Sequence, residues 1–182
     1  YYGGHTGRFS GAGGFNVENM NQKDRFGTNI RRVFIPDPGE VFLIADYSQV
    51  EPRCLNYAAG DFEFLELCRL YSPYIAHGIQ TGRIKDVEEF NVMREIENTK
   101  EAVIYSGLKA EVLLLGYGGG WKTFLRNAKN FKLDVDESMA KLTVDRFRAS
   151  KPKIVAFWKK LEDEFRTWVG TDVFYSPLPS GR

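Results

Sequence analysis

The sequence predicts an α+β fold, in which antiparallel sheet elements adjoin a mostly helical middle. Three observations carry that prediction. Two strand-like runs, Ile30–Ile35 and the almost wholly apolar Val41–Ala45, flank the turn-forming Pro36-Asp37-Pro38-Gly39-Glu40. Between Val50 and Trp168 several separate stretches read as helical. A third short run, Val173-Phe174-Tyr175, is again strand-like.

Each element follows from its residues. Residues 1 to 29 are rich in Gly, Asn and Ser and read as irregular backbone. Asp37-Pro38-Gly39-Glu40 suits a type II turn, with Pro38 setting φ and Gly39 accepting φ > 0. An antiparallel hairpin of the two flanking runs is therefore expected. The pattern turns helical at Val50 and continues towards Leu70, and Ser48-x-x-Glu51 fits a capping box at its start. Pro73 opens a further helix that Thr81-Gly82 stops. Residues 84 to 104 read as a charged helix, and 105 to 115 as another that ends before Gly118-Gly119-Gly120. Asp136 to Arg148 carries Met139, Leu142, Val144 and Phe147 on a rough apolar face. After Pro152 a strongly amphipathic helix runs through Ile154, Phe157, Trp158, Leu161, Phe165 and Trp168.

Composition narrows the class. The chain has 182 residues, 43% of them hydrophobic, enough for one domain or one and a part. It contains no apolar run of about 18 residues and no leader-like start, so no membrane span is expected. A start at Tyr1 instead of Met suggests an excised piece. A net charge of +1 neither announces nor excludes nucleic acid. Cys54 and Cys68 form no CxxC pair, which points to a reducing compartment. His5 and His77 lack metal-ligand spacing and read as surface or core residues. The charged stretch at 84 to 101 reads as a solvated face.

Three constellations carry chemistry. Asp46 closes the run Val41–Ala45, so a strand there would set a carboxylate at the rim of a buried sheet. A carboxylate suits Mg²⁺, a hard cation that takes oxygen ligands. It also suits a helix start, and both readings can hold at once. Next, Tyr105, Lys109, Leu113 and Tyr117 are spaced by four and wind slowly along one helical face. From Lys109 to Tyr117 the rise is roughly 12 Å, comparable to an extended nucleotide. The plainer alternative is a buried helix, because Val112–Leu115 is a continuous apolar run. Last, Thr6-Gly7-Arg8-Phe9-Ser10, followed by Asn16 to Asn21, reads by itself as a flexible Gly-rich loop with a solvated arginine, and takes on a nucleic-acid role only through the resemblance described next.

Asp46-Tyr47-Ser48-Gln49-Val50-Glu51-Pro52-Arg53 resembles the Asp-Tyr-Ser-Gln-Ile-Glu-Leu-Arg signature of family A DNA polymerases, the group of bacterial polymerase I and many phage replicases. Lys109 to Gly118 resembles motif B of the same family, and its Leu-Gly-Tyr-Gly ending is similar to phage-type members. Thr6 to Ser10 resembles the Thr-Gly-Arg-Leu-Ser segment. Ser72-Pro73-Tyr74, the Pro152 to Trp158 stretch and Leu178-Pro179-Ser180-Gly181-Arg182 fit phage-type members less specifically. Three motifs in the family's order span nearly the whole chain. Two positions depart. Tyr105 stands where motif B has arginine, and Glu18 stands where the family has Gln, so Asn19 alone is carried over there.

The resemblance implies a palm built on antiparallel sheet elements and a mostly helical fingers subdomain. Residues 1–70 would be partial palm with the primer-template-contacting segment and motif A. Residues 71–150 would be fingers with the motif B helix, and 151–182 a return to palm. It implies DNA-directed DNA polymerase activity, with dNTP added to a primer 3′ end by two Mg²⁺ ions in the complete enzyme. Asp46 and the carbonyl of Tyr47 would be metal ligands. Asp46 and Lys109 would be the catalytic pair. Gln49, Glu51, Lys109, Leu113 and Tyr117 would meet the dNTP. Arg8, Asn19, Tyr117 and Gly118 would meet primer-template DNA. Glu51 would exclude the ribose 2′-hydroxyl and accept a hydrogen bond from Tyr117, and Arg53 would support the palm through buried ion pairing. The family's second catalytic carboxylate falls beyond Arg182, so this piece alone is expected to be inactive. Two alternatives are a non-catalytic DNA-binding module on the same fold and a single-subunit RNA polymerase relative; Glu51 favours DNA synthesis. The expected location is the cytoplasm of a bacterial host, if phage-encoded.

Overall fold

The computed structural model describes Met20 and residues 29–169. They divide into two compact units, one ending at Asp46 and the other beginning at Tyr47. In the first unit the expected hairpin is not formed. Ile30–Val33 is a 3₁₀ turn, because the Asn29 side chain caps it by accepting from Arg31 N at 3.1 Å. Arg31 in turn donates to the Met20 carbonyl at 2.9 Å. The type II turn does form: Glu40 N donates to Asp37 O at 2.9 Å, and Gly39 has φ +90°. Past the turn, Val41, Leu43 and Ile44 are 87 to 95% exposed and belong to no strand.

This overturns the α+β expectation. Among the described residues there is no strand, so no antiparallel palm sheet is present, and the architecture there is helical. The physical reason is that a strand is defined by ladder hydrogen bonds to a neighbour. With Ile30–Val33 coiled into a helical turn, the run at 41–45 has lost the partner the hairpin would have supplied. Val173–Tyr175 lies outside the described residues.

The second unit holds eight α-helices among its described residues: α1 Val50–Ala58, α2 Phe62–Leu70, α3 Pro73–Gln80, α4 Val87–Met93, α5 Lys100–Leu115, α6 Trp121–Ala128, α7 Glu137–Ser150 and α8 Pro152–Trp168. The single helix expected over 50–70 is broken where Gly60 takes φ +70° and Asp61 caps α2 by accepting from Phe64 N. The capping box at Ser48 and Glu51 is also not formed. The N-cap is Gln49, with φ +45° and no side-chain cap bond, and Ser48 Oγ donates to Gln49 Oε1. α3 begins as expected, with Ser72 accepting from Ile75 N and Pro73 in the first turn. The boundary expected near 104 lies at Thr99, which caps α5 by accepting from Ala102 N.

α5 is the centre of this unit and packs on α3, α4, α6 and α7. The cause lies in its composition: it is apolar nearly all round, and such a helix is stable only when enclosed. Leu108 and Val112 join Tyr74, Ile75, Ile84 and Phe90 in one core. Ala110 and Leu115 join Phe124, Ala140, Val144 and Phe147 in a second. α3 reaches the first core closely at Gly78, where a Cβ would lie 2.9 Å from Leu108 Cδ1. In α7 the inward face is Ala140, Val144 and Phe147, whereas Met139 and Leu142, also expected to face inward, are about half exposed.

Candidate nucleotide site on helix α5

Helix α5 presents the expected residues as a graded stripe. Lys109 is exposed, Leu113 is half-buried against the first core, and Tyr117, just past the helix end, is 60% exposed. Lys109 stays in water because its helical neighbours Leu108 and Ala110 face the two cores. Gly118 follows at φ +78°, a left-handed conformation that closes the end of α5 through Gly118 N to Leu115 O at 3.0 Å. The helix end is also tied to α8, since Trp158 Nε1 donates to Gly116 O at 3.1 Å.

α1 meets the same end of α5. Pro52, Leu55 and Asn56 share a small buried gap with Val112 and Gly116. Glu51 precedes Pro52 and Tyr117 follows Gly116, so both flank this contact in sequence. Glu51 itself is half-buried in the first turn of α1, where Pro52 is tolerated because its missing N–H would have no helical partner. Arg53 does not form the expected ion pair among the described residues. It donates instead to two backbone carbonyls, Ser48 O at 3.1 Å and Cys68 O at 2.6 Å, and so ties α1 to α2.

The remaining expected site residues lie off α5 in sequence. Asp46 is exposed at the end of the first unit, and Tyr47, 84% exposed, opens the second. Among the described residues no group of three or more His, Cys, Asp and Glu side chains is placed to hold a metal ion. Asp46 and the Tyr47 carbonyl are nevertheless hard oxygen donors of the kind Mg²⁺ uses, and Mg²⁺ commonly completes its shell with water and substrate phosphate. Arg8 and Asn19 lie outside the described residues.

Two features had no signal in residue spacing. At the start of α5 the Arg94 guanidinium lies 4.4 Å from the Tyr105 ring centroid, and Tyr105 also meets Tyr74 edge to face at 6.1 Å. On the opposite side of α5 from Lys109, Glu111 is gripped by both terminal nitrogens of Arg83, at 2.6 and 2.7 Å, and lies 2.9 Å from His77 Nε2. His77 is fully buried, so of the surface and core roles left open for it the structure shows the core one. Burial holds it neutral by lowering its pKa, against the pull of Glu111. Burial alone would raise the Glu111 carboxyl, but the bonds from His77 and Arg83 outweigh it and hold the group below its usual range.

Comparison with known proteins gives the family. Residues 2–173 match DNA polymerase family A. The chain is similar to DNA polymerase I of Chloroflexus aurantiacus, 42% identical over 57% of this chain and 11% of that protein. It is similar to the DNA polymerase of Bacillus phage SP02, 29% identical over 73% of this chain and 19% of the relative. It also resembles the thermostable DNA polymerase I of Thermus filiformis, 25% identical over 89% of this chain and 18% of the relative. The matched region is thus less than a fifth of each relative's length. No solved structure matches. No helix among the described residues is long and apolar enough to cross a membrane. The match across almost the whole sequence, together with the stripe on α5, makes this chain a member of DNA polymerase family A.

Proposed function

We propose that this chain is the nucleotide-binding part of a DNA-directed DNA polymerase. The observation that carries the reading is the stripe on α5: a solvated cation at Lys109, an apolar residue at Leu113 and an exposed aromatic at Tyr117, spread over roughly 12 Å. That order suits phosphate, sugar and base of a dNTP. Lys109 would neutralise phosphate charge as pyrophosphate leaves. Tyr117 and Gly118, with Arg8 and Asn19, would contact primer-template DNA. Glu51 and Gln49 at the start of α1 would border the sugar, and a ribose 2′-hydroxyl would collide with Glu51.

Asp46 and the Tyr47 carbonyl would hold Mg²⁺. When bound, such ions stabilise the attacking and leaving oxygens of an in-line displacement. The chain's own contribution is positioning and charge, which are the main demands of phosphoryl transfer. The phage SP02 relative supports a viral origin for this segment.

The test is template-directed incorporation by the polypeptide that carries this segment. Asp46→Asn should abolish incorporation and leave DNA affinity largely intact. Glu51→Ala should admit ribonucleotides. Undiminished synthesis by Asp46→Asn would sink the catalytic reading.

A further inference from the structure

A cleft of about 470 Å³ lies on the side of α5 opposite Lys109, between the end of α3 and α7. Most of its lining is polar. Thr143, Arg146 and Ser150 fall on one face of α7 and form one wall. His77 from α3, Arg83 just past that helix and Glu111 from α5 form the other. Phe147, beside Arg146 in sequence, meets the His77 ring at 5.5 Å, so the two walls are within reach of one small molecule.

On the α3–α5 wall the charges answer one another. Arg83 donates both terminal nitrogens to Glu111, and its Nε to Thr81 Oγ1 at 3.0 Å. His77, held neutral, gives its Nε2 proton to the Glu111 carboxylate. Its Nδ1 is then a bare acceptor, buried and without a hydrogen-bond partner among the described residues. The α7 wall differs. Arg146 is exposed and makes no hydrogen bond or ion pair among the described residues. Its helical neighbours three and four positions away, Leu142, Thr143, Ala149 and Ser150, carry no carboxylate. The Thr143 hydroxyl, one turn earlier, also donates to nothing among the described residues. The cleft therefore has one unanswered positive charge at its mouth, with free donors, and one unanswered acceptor in its depth. Stability does not account for this polarity, since apolar packing of the same volume does as well as a buried ionic network.

We propose that this cleft binds a small oxyanion that also carries an O–H group, with the oxyanion on Arg146 and Thr143 and the O–H donating to His77 Nδ1. Hydroxycarboxylates and protonated phosphates share that chemistry. The site is separate from the nucleotide reading of α5, because neither Lys109, Leu113 nor Tyr117 lines it. Binding there is non-covalent; no bond of the ligand is formed or broken.

The experiment is a titration of the isotope-labelled chain at neutral pH and constant ionic strength, read at the His77 ring nitrogens. The probes are inorganic phosphate, glycerate and acetate, the last of which lacks the O–H. Phosphate or glycerate should move the Nδ1 resonance to saturation, and the one that does so identifies the ligand class. Acetate should bind about fivefold or more weakly than that probe, since it leaves Nδ1 unpaired. Arg146→Ala should weaken binding about ten- to hundred-fold, the worth of one charge-assisted hydrogen bond. Thr143→Val should weaken it about three- to tenfold. Lys109→Ala should change nothing. A Nδ1 resonance unmoved by both phosphate and glycerate would overturn the inference. So would acetate binding as tightly as they do, or an undiminished response in Arg146→Ala. A response lost in Lys109→Ala would put the anion on the α5 stripe, which overturns this inference and leaves the nucleotide reading standing.

Discussion

Replacing Lys151 with Met should stabilise the folded chain at neutral pH and change little near pH 10. Lys151 is 1% exposed, its Nζ has no hydrogen-bond partner among the described residues, and it lies 3.0 Å from the Phe64 ring centroid. Burial pushes its ammonium down from 10.5 to about 7, against the opposing pull of Asp61 and Cys68. The sign follows directly. The folded value lies below the unfolded one, so between about pH 7 and 10.5 the unfolded chain holds more protons and stability climbs with pH. Below about pH 7 the penalty is fully present. At ~1.4 kcal/mol for each pH unit it amounts to about 5 kcal/mol. The attraction of the cation to the face of Phe64 is part of that balance, so removing the charge should recover up to about 5 kcal/mol. Methionine fills a similar linear volume without charge. Urea unfolding at pH 6.5 should therefore show Lys151→Met with the higher midpoint, by about 1 M or more. At pH 10 the two proteins should differ by under about 1 kcal/mol. The same midpoint difference at both pH values would refute the reasoning, because an uncharged explanation such as packing has no reason to titrate.

Glu111→Gln removes the carboxylate from between Arg83 and His77 and should cost about 3 kcal/mol at neutral pH, read as a lower urea midpoint. The wild-type carboxyl is held below its ordinary value, so its contribution is present above pH 4.5 and fades as pH falls through the lower folded value. The wild-type advantage over Glu111→Gln should shrink in that acid window, and a constant gap there would count against the network. Thr99→Ala deletes the cap of α5 and should cost about 1 kcal/mol, lowering the thermal midpoint by roughly 2–4 °C. A loss confined to thermal noise would mean that packing alone starts this helix.

Local chemistry was legible where one residue answered to its own neighbours. Pro38 and Gly39 specified their turn, Ser72 and Pro73 specified the start of α3, and Asp136 specified α7, where it accepts from Met139 N at 2.7 Å. The break between α1 and α2 also had its signals, in Gly60 and the capping Asp61, but the apolar spacing on either side masked them. α6 went unread, although Trp121, Phe124, Leu125 and Ala128 follow helical spacing just past the three glycines. The strand-like runs at 30–35 and 41–45 misled for a different reason. β-branched residues favour extended backbone, but pairing is settled by a distant partner that composition does not reveal. The site divides in the same way. Lys109, Leu113 and Tyr117 are visible as a spacing of four that runs along α5 and just past its end. Arg94 on Tyr105, and His77 with Arg83 and Glu111, depend on how a loop folds back and how α3 packs on α5.

Because α5 is clasped on two flanks by separate cores, it has no freedom to bend alone. Any travel that carries Lys109 towards or away from a ligand takes the surrounding block of helices along. Movements of packed bodies of this kind belong to the microsecond-to-millisecond range, roughly a thousandfold slower than the flicker of a surface loop. If α5 holds a nucleotide as proposed, the tempo of its capture would be set by the swing of that whole block, and changes deep inside either core should be felt as altered speed before they are felt as altered affinity.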